Sequence, residues 1–337
     1  MRPYHIAIVG ATGIVGDRFI RVLEQRNFPI ASVRMLASKR SVGRTLPFAG
    51  KQVPVEETTP DSFKGVDIVF LSATTEASRV FAPLAAEAGA LVIDDSSAWR
   101  MDPQVPLVVP EVNPEDVAWH RGIISTPNCS TVPLVMVLQA LRGAAQVRRV
   151  VVDTYQSVSG TGGAAVRELD EQTRLLLGGE TPQPVVYPHP IAFNLLPHID
   201  SFLENGYTKE EWKMVQETRK ILHDDALPVS ATCVRVPVMV SHSEAVHVEL
   251  DRPMSTEEAR RLLAVFPGMV VQDDPATNGY PMPAAAAGRD EVFVGRIRQD
   301  ASHPNGLALW VVSDNLLKGA ALNAVQIAEV AVREGKV

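Results

Sequence analysis

The 337-residue chain is 46% hydrophobic and 21% charged, with a formal net charge of −7, which is typical of a soluble globular protein. It has no basic block suited to nucleic acid and no apolar run near the ~18–20 residues that span a bilayer, so neither partner is expected. Its two distant cysteines predict no disulfide framework, and its start shows no signal-peptide pattern, so we expect a reduced, cytoplasmic protein.

The first third of the chain predicts a parallel sheet covered by helices, because short apolar runs alternate with segments of helical spacing. Helices are predicted at 13–26 and 76–88. The predicted strands are 5–10, 32–38, 66–73, 90–96, 106–112 and 122–127. Such alternation is typical of an α/β, Rossmann-type dinucleotide-binding domain.

The pattern changes after residue 129, where longer β-rich runs are separated by helices and loops. These runs lie at 148–160, 230–251, 291–299 and 306–315. They predict a second, α+β domain built on a mixed or antiparallel sheet. A final helix is predicted at 316–333, and its stripe of small residues is expected to pack back onto the first domain.

A glycine-rich turn follows the first predicted strand directly. Gly10, Gly13 and Gly16 have the spacing G-x-x-G-x-x-G and open a predicted helix. Glycines let the backbone turn tightly and approach a pyrophosphate, which then lies on the helix N-terminus. The alternative is a tight strand-to-helix turn that binds no ligand.

The end of the second predicted strand favours NADP over NAD. NAD sites usually carry an acidic residue here for the ribose 2′-hydroxyl. This chain instead has Ser38, Lys39 and Arg40, a hydroxyl and two cations that suit a 2′-phosphate. The alternative is a solvated basic loop.

Cys129 is the leading candidate for a nucleophile. It follows a Pro-Asn turn and precedes a long apolar run, so it is predicted near the first turn of a buried helix. The positive end of a helix favours the thiolate, which is the nucleophilic form. From this residue alone, a small buried hydrophobe is an equal alternative. Cys233, within a β-rich run, is interpreted as a core residue.

Ten segments spread over nearly the whole chain resemble those of bacterial aspartate-semialdehyde dehydrogenases. They are GATGIVG, SSAWRMD, VVPEVN, PNCST, TYQSVSGTG, PIAFNLLP, EEWKMVQETRKIL, RVPVMVSHSE, FVGRIR and VSDNLLKGAALNAVQIAE. The resemblance implies an NADP-binding domain of residues 1–128 and 315–337, and a catalytic and dimerisation domain of residues 129–314. It also implies a homodimer or homotetramer and no metal.

The resemblance further implies a reaction and its principal groups. Members of this family reversibly reduce L-aspartyl 4-phosphate to L-aspartate 4-semialdehyde with NADPH and release inorganic phosphate, on the way to lysine, threonine and methionine. The PNC motif then makes Cys129 the nucleophile that forms a thioester. The HSE motif makes His242 the acid/base, and the TYQ motif makes Gln156 the residue that orients the acyl group.

Other residues are implied to surround the substrate and the cofactor. Arg235 matches the arginine that holds the substrate α-carboxylate, and Glu210 matches the carboxylate near its ammonium. The groups around the phosphate are Arg100, Asn128 and Lys213. The residues implied to contact NADP are Gly10, Thr12, Gly13, Ile14, Val15, Gly16, Ser38, Arg40, Ser72, Ser157, Ser159, Gly160 and Asn315.

Purely structural roles remain open for several of these residues. Arg235 and His242 lie seven positions apart on one β-rich run, and strict alternation would point them to opposite faces, so a bend or a strand end must intervene. Glu210 and Lys213 could form a surface ion pair beside a Thr208–Glu211 capping box. Arg100 could be a loop arginine, and Asn128 could cap the following helix.

Competing functions make distinguishable predictions. An N-acetylglutamyl-phosphate reductase would not need Glu210 for a free amine. Glyceraldehyde-3-phosphate dehydrogenase shares the thiol and hydride chemistry, but its cysteine lies in a different context. A non-catalytic paralogue should lack Cys129 or His242. The Pro-rich segment 178–189 departs from the resemblance and could serve a subunit interface or a lid.

Overall fold

The computed structural model describes residues 2–337, which form two compact units. The first unit comprises residues 2–127 and 320–337, and the second unit comprises Asn128–Gly319. Each unit is built around one sheet. Within the described residues, none of the helices has the length and apolar composition needed to cross a membrane.

The first unit contains a seven-stranded sheet in the order β3-β4-β2-β1-β5-β6-β7. Its strands are β1 (Tyr4–Val9), β2 (Ile30–Ala37), β3 (Thr45–Phe48), β4 (Lys51–Glu57), β5 (Ile68–Leu71), β6 (Leu91–Asp94) and β7 (Ile123–Ser125). Strand β3 pairs antiparallel with β4, and the other pairs are parallel. The α-helices of this unit are α1 (Ile14–Gln25), α2 (Thr75–Glu87) and α8 (Leu322–Arg333). Strands β1, β5 and β6 are almost continuously apolar, as expected for parallel strands covered on both faces.

The second unit contains a six-stranded mixed sheet in the order β11-β12-β13-β10-β8-β9. Its strands are β8 (Val147–Gln156), β9 (Val229–Arg235), β10 (His242–Leu250), β11 (Met269–Val271), β12 (Val292–Gln299) and β13 (Gly306–Ser313). Its helices are α3 (Thr131–Arg142), α4 (Gly163–Leu177), α5 (Lys209–Ile221), α6 (Thr256–Val265) and α7 (Pro283–Ala286). The predicted fold class, a Rossmann-type domain beside an α+β domain with a mixed sheet, is confirmed.

Alternation along β8 separates the two faces of the second sheet. Thr154 and Gln156 are buried on one face, whereas Tyr155 is 37% exposed on the other and its ring lies 5.3 Å from that of Trp310. The sheet therefore has one face toward its own core and one accessible face in this chain.

The prediction of a strand at residues 106–112 is wrong. This stretch makes a single bridge, between Leu107 and Ser125, and then turns. The Asn113 side chain accepts the N–H of Val109 and donates to the carbonyl of Leu107, so it takes the groups that a neighbouring strand would use. Pro106 and Pro110 also lack the N–H that a strand ladder needs.

The C-terminal helix also begins later than predicted. Leu317–Ala321 form a π-helical turn, and α8 starts at Leu322. Helix α8 belongs to the first unit, where Glu329 pairs with Arg26 at 2.6 Å.

Candidate active site

The glycine turn of the first unit leaves no space for side chains at two positions. Gly10 has φ +84°, and a Cβ there would lie 2.0 Å from the carbonyl oxygen of Ser72. A Cβ on Gly16 would lie 2.4 Å from the carbonyl oxygen of Gly10. Thr12, whose hydroxyl lies 3.2 Å from that of Ser41, is in the turn that leads into α1. The backbone thus reaches the helix N-terminus in the form that suits a pyrophosphate.

Gly13, Ile14 and Val15 complete this turn. Gly13 caps α1, and its own N–H donates to the carbonyl of Gly10 at 2.9 Å. Ile14 and Val15 begin the helix, where backbone N–H groups lack an intrahelical acceptor. The sequence-predicted residues of the turn are therefore contiguous in space as well as in sequence.

The basic segment after β2 is exposed. Ser38 precedes a short 3₁₀ turn, Lys39–Ser41, and both Ser38 and Arg40 are accessible to solvent. This strand end therefore presents a hydroxyl and two cations, Lys39 and Arg40, to solvent.

A partly buried carboxylate joins the carboxyl ends of β5, β6 and β7. Asp95 accepts hydrogen bonds from the hydroxyls of Ser72 at 3.1 Å and Thr126 at 2.9 Å. The backbone carbonyl of Asp95 accepts a hydrogen bond from the Arg100 guanidinium at 3.0 Å, and Arg100 is itself buried. Burial raises the pKa of Asp95 to about 6, although Arg100 and the two hydroxyls oppose the increase. Arg100 thus lies in a turn, but it is buried and bonded to the Asp95 backbone.

Cys129 lies at the start of α3 in the second unit. Ser130 caps this helix, and the cysteine is only partly buried. Gly319, in the π-helical turn, packs directly against it, because a Cβ there would lie 2.9 Å from the Cys129 Cβ. The predicted position near a helix N-terminus is confirmed.

Asn128, which precedes the cysteine, is clamped by two carboxylates of α5. Its backbone N–H donates to Glu217 at 2.6 Å, and its side-chain amide donates to Glu210 at 2.7 Å. Its side-chain oxygen Oδ1 accepts the N–H of Ser130, the N-cap residue of α3, at 2.9 Å. Asn128 is thus fixed both by the start of α3 and by α5.

Helix α5 begins at the predicted capping box. The Glu211 N–H donates to the Thr208 hydroxyl at 3.3 Å, and the Thr208 N–H donates to the Glu211 carboxylate at 2.7 Å. This confirmed cap fixes the first turn of α5, which carries Glu210.

Glu210 is buried but ionised. It accepts from Asn128, from Gln156 at 3.3 Å and from Lys213 at 3.0 Å, and Lys213 also pairs with Asp200 at 3.0 Å. Burial disfavours the carboxylate, but the Lys213 charge and these hydrogen bonds outweigh it and lower the pKa of Glu210 to about 2. The Glu210–Lys213 pair is therefore a buried carboxylate with a half-exposed cation, and not a surface ion pair.

Arg235 and His242 approach each other because a loop separates their strands. Strand β9 ends at Arg235 and β10 begins at His242, and Ser241 between them has φ +77°. A Cβ on Gly160 would lie 3.1 Å from both Arg235 Nη1 and His242 Nε2. The prediction that a strand end intervenes is confirmed, and both side chains line one spot.

Two buried donors at this spot have no hydrogen-bond partner among residues 2–337. They are Arg235 Nε and His242 Nε2. Buried polar groups are normally satisfied, so two unpartnered donors on neighbouring side chains indicate a binding site. A carboxylate and an acyl oxygen are the acceptors that these two donors would take.

The Ser157 backbone fixes the tautomer of the neutral His242 ring. Its N–H donates to His242 Nδ1 at 3.0 Å, so the neutral ring carries its proton on Nε2. Burial, and then the positive charge of Arg235, lower the pKa of His242 to about 3. The Ser157 carbonyl in turn accepts from Arg235 at 2.7 Å. One backbone segment thus orients both side chains.

Asn315 links the loop after β8 to the loop before β10. Its carbonyl oxygen accepts from the hydroxyls of Ser157 and Ser159, each at 3.1 Å, and from the N–H of Ser241 at 2.9 Å. It therefore fixes the serine-rich loop against the residue before His242.

Sequence reasoning missed Glu217, Gly319 and Asp95. Glu217 lies two helical turns from Glu210, so helical spacing alone could have placed both on one face of α5. Gly319 directly precedes the small-residue stripe of the last predicted helix, where no turn signal marks it. Asp95 lies within the predicted strand 90–96 beside a second aspartate, a pattern too weak to interpret.

Two family models and several named relatives match this chain. A model of the semialdehyde dehydrogenase NAD binding domain matches residues 5–120, and one of the semialdehyde dehydrogenase dimerisation domain matches residues 138–318. A protein named aspartate-semialdehyde dehydrogenase from Aquifex aeolicus is 55% identical over 98% of this chain and 99% of its own length. One from Bacillus subtilis is 51% identical over 97% of each chain.

Solved structures give the same result. Aspartate semialdehyde dehydrogenase II from Vibrio cholerae, complexed with ASA, superposes with a TM-score of 0.96 at 46% identity and 99% coverage of both chains. The Candida albicans aspartate semialdehyde dehydrogenase with NADP has a TM-score of 0.78 at 26% identity, covering 99% of this chain and 100% of its own. This chain belongs to the aspartate-semialdehyde dehydrogenase family.

Proposed function

We propose that this chain catalyses the reversible, NADPH-dependent reductive dephosphorylation of L-aspartyl 4-phosphate to L-aspartate 4-semialdehyde, in the cytoplasmic synthesis of lysine, threonine and methionine. The observation that carries the proposal is the pair of buried, unpartnered donors of Arg235 and His242 beside Gly160. Family membership supplies the reaction class.

Cys129 is assigned the nucleophilic step. Its thiolate attacks the acyl carbon of the substrate, the carbon–oxygen bond to phosphate breaks, and a thioester forms as inorganic phosphate leaves. Arg100, Asn128 and Lys213 are assigned to the phosphate, and Gln156 to the orientation of the acyl group. When bound, NADPH supplies the hydride that reduces the thioester.

His242 is assigned the proton transfers. In the free protein its Nε2–H is a hydrogen-bond donor aimed at the Gly160 spot. Binding of the substrate carboxylate would offset the Arg235 charge that lowers the pKa of His242, so this pKa would rise in the complex. The ring could then take the thiol proton as the sulfur attacks and return it to the sulfur as the aldehyde leaves.

The substrate's other charges match the remaining residues. Arg235 would hold the α-carboxylate with two parallel hydrogen bonds, and the ionised Glu210 would attract the ammonium. N-acetylation would remove that ammonium, so Glu210 favours a free amino acid over an acetylated one.

NADP is assigned to the first unit. The Gly10–Gly16 turn, with Thr12, Ile14 and Val15, would hold the pyrophosphate, and Ser38 and Arg40 the 2′-phosphate. Ser72, Ser157, Ser159, Gly160 and Asn315 would approach the rest of the cofactor. A Cβ at Gly10 or Gly16 would clash with the chain's own backbone, so these glycines keep the turn tight at the start of α1.

The cofactor preference can be tested with Arg40→Ala. We expect the Kd for NADPH to rise about 10- to 100-fold and the Kd for NADH to change less than about twofold, because only NADPH carries the extra phosphate. Titration by cofactor fluorescence measures both. Equal losses for the two cofactors would refute the assignment.

We infer that the chain forms at least a homodimer. The family model over residues 138–318 is a dimerisation domain, and the accessible sheet face with Tyr155 and Trp310 offers an apolar surface to a second copy. Light scattering after gel filtration distinguishes a dimer from a tetramer.

The decisive experiment follows the reverse reaction at the absorbance of NADPH. Protein, aspartate semialdehyde and NADP⁺ are mixed with and without inorganic phosphate. We expect NADPH to form only with phosphate. Activity with N-acetylglutamate semialdehyde instead would reassign the substrate, and no activity with either aldehyde would refute the proposal.

A further inference from the structure

The Pro-rich segment that begins at residue 178 is pinned to helix α4. The buried Glu168 carboxylate accepts the backbone N–H groups of Val185 and Val186. One turn further, the Gln172 carbonyl oxygen accepts the N–H of Ile191 at 2.8 Å, and its amide donates to Glu168 at 2.8 Å. Two buried side chains thus hold the segment on both sides of Tyr187.

Tyr187 reaches the site from this segment. Its hydroxyl donates to the Thr161 hydroxyl at 3.0 Å, and its ring centroid lies 5.9 Å from the Arg235 guanidinium carbon. Its ring also packs on the cluster that contains Val158 and Leu169. Burial raises the pKa of Tyr187, which keeps its hydroxyl a donor. The tyrosine is therefore fixed at both its ring and its hydroxyl.

The ring limits how the Arg235 guanidinium can lie. Nη1 donates to the Ser157 carbonyl at 2.7 Å, while Nε has no partner among the described residues. An aromatic face within about 6 Å attracts a guanidinium and excludes water from that side. Held between a carbonyl and a ring, the guanidinium keeps one orientation, which favours a planar, bidentate anion.

We propose that Tyr187 is a positioning residue for the substrate α-carboxylate, acting by holding the Arg235 guanidinium in its binding orientation. This role rests on the proposed function, which assigns Arg235 to that carboxylate. It gives the Pro-rich segment a place in substrate selection, because the effect should reach only substrates that carry the carboxylate.

The test compares Tyr187→Leu with Tyr187→Phe on two aldehydes. One is aspartate semialdehyde, and the other is 3-aminopropanal, which has the same aldehyde and amine but no carboxylate. In the phosphate-dependent oxidation, Tyr187→Leu should raise the KM for aspartate semialdehyde about 5- to 20-fold and leave kcat within about twofold. Tyr187→Phe, which keeps the ring, should stay within about threefold of the wild type.

With 3-aminopropanal, the wild type and Tyr187→Leu should have the same kcat/KM. An unchanged KM for aspartate semialdehyde in Tyr187→Leu overturns the proposal. Equal losses on both aldehydes, or equal losses in the Phe and Leu variants, also overturn it, because the effect would then come from general packing or from the Thr161 hydrogen bond. Wild-type turnover separates these outcomes from failure of the proposed function, since an inactive wild type would refute both.

Discussion

Two neighbouring rows of side chains on one face of the second sheet differ in the charges and hydrogen bonds around them. The outer row contains Arg235 and Gln156, which pair across β9 and β8, and His242 at the start of β10. The inner row, two residues along each strand, contains Cys233, Thr154 and Glu244. Both rows are buried, so burial does not distinguish them.

The difference lies in countercharges and hydrogen bonds. Around the outer row, Lys213 and Arg235 stabilise the Glu210 carboxylate, and Arg235 disfavours a charged His242. In the inner row, neither Glu244 oxygen has a hydrogen-bond partner among residues 2–337, and burial raises the pKa of Glu244 well above its usual value. Burial, and then Glu210, likewise raise the pKa of Cys233.

The comparison shows that a shift of two residues along a strand changes the ionisation of buried groups. Where a cation and hydrogen-bond donors surround a buried carboxylate, as at Glu210, it keeps its charge. Where no cation offsets burial, as at Glu244 and Cys233, the group stays protonated.

The largest expected effect separates the two cysteines. Cys129→Ala should lower kcat by at least about 10⁴-fold, because no other thiol can form the thioester, while NADPH binding stays nearly intact. Cys233→Ala should keep kcat within about twofold and lower the free energy of unfolding by about 1 kcal/mol. Initial rates and urea unfolding measure these quantities. Normal turnover in Cys129→Ala would remove that residue from the mechanism.

Replacing Arg235, the cation of the outer row, should change both substrate binding and the pKa of His242. Arg235→Met should raise the KM for aspartate semialdehyde about 100-fold, since two charge-assisted hydrogen bonds are lost. It should also raise the pKa of His242, because the nearby positive charge disfavours the imidazolium. Histidine NMR across pH measures this change.

Arg174→Met is the matched control for that variant. Arg174 forms an exposed ion pair with Asp170 on α4, so both the KM and the His242 titration should stay unchanged. A His242 titration that is identical in Arg235→Met and the wild type would contradict the assigned electrostatic coupling.

The smallest effect concerns the inner row and stability. The pKa of Glu244 is raised in the folded state, so its contribution to stability is fully present below the unfolded pKa of about 4.3 and is lost as pH rises toward the folded pKa. Glu244→Gln should therefore gain stability relative to the wild type between pH 5 and pH 8, by about 1 kcal/mol or more. Urea unfolding at both values measures the gain, and a difference independent of pH would contradict it.

The local features of the site were predictable because their signals lie within a few residues. The glycine turn, the helix start beside Cys129 and the Thr208 capping box each depend on short-range geometry. The prediction of a strand at residues 106–112 was wrong because the Asn113 side chain binds backbone groups that a strand would use. Apolar periodicity carries no information about such side-chain hydrogen bonds. The distant motifs were connected by their resemblance to a known family, and not by a spacing pattern within the chain.

By itself, the sequence determined the alternating first unit, the β-rich second unit and the chemistry of the individual side chains. Only the tertiary structure decided which groups meet: the Glu210–Asn128–Glu217 clamp, the convergence of Arg235 and His242 at Gly160, and the Tyr187 ring over Arg235. The physical reason is that protonation and orientation in a buried site depend on neighbours that lie far away in the chain. Those neighbours are set by strand register and loop conformation rather than by local spacing.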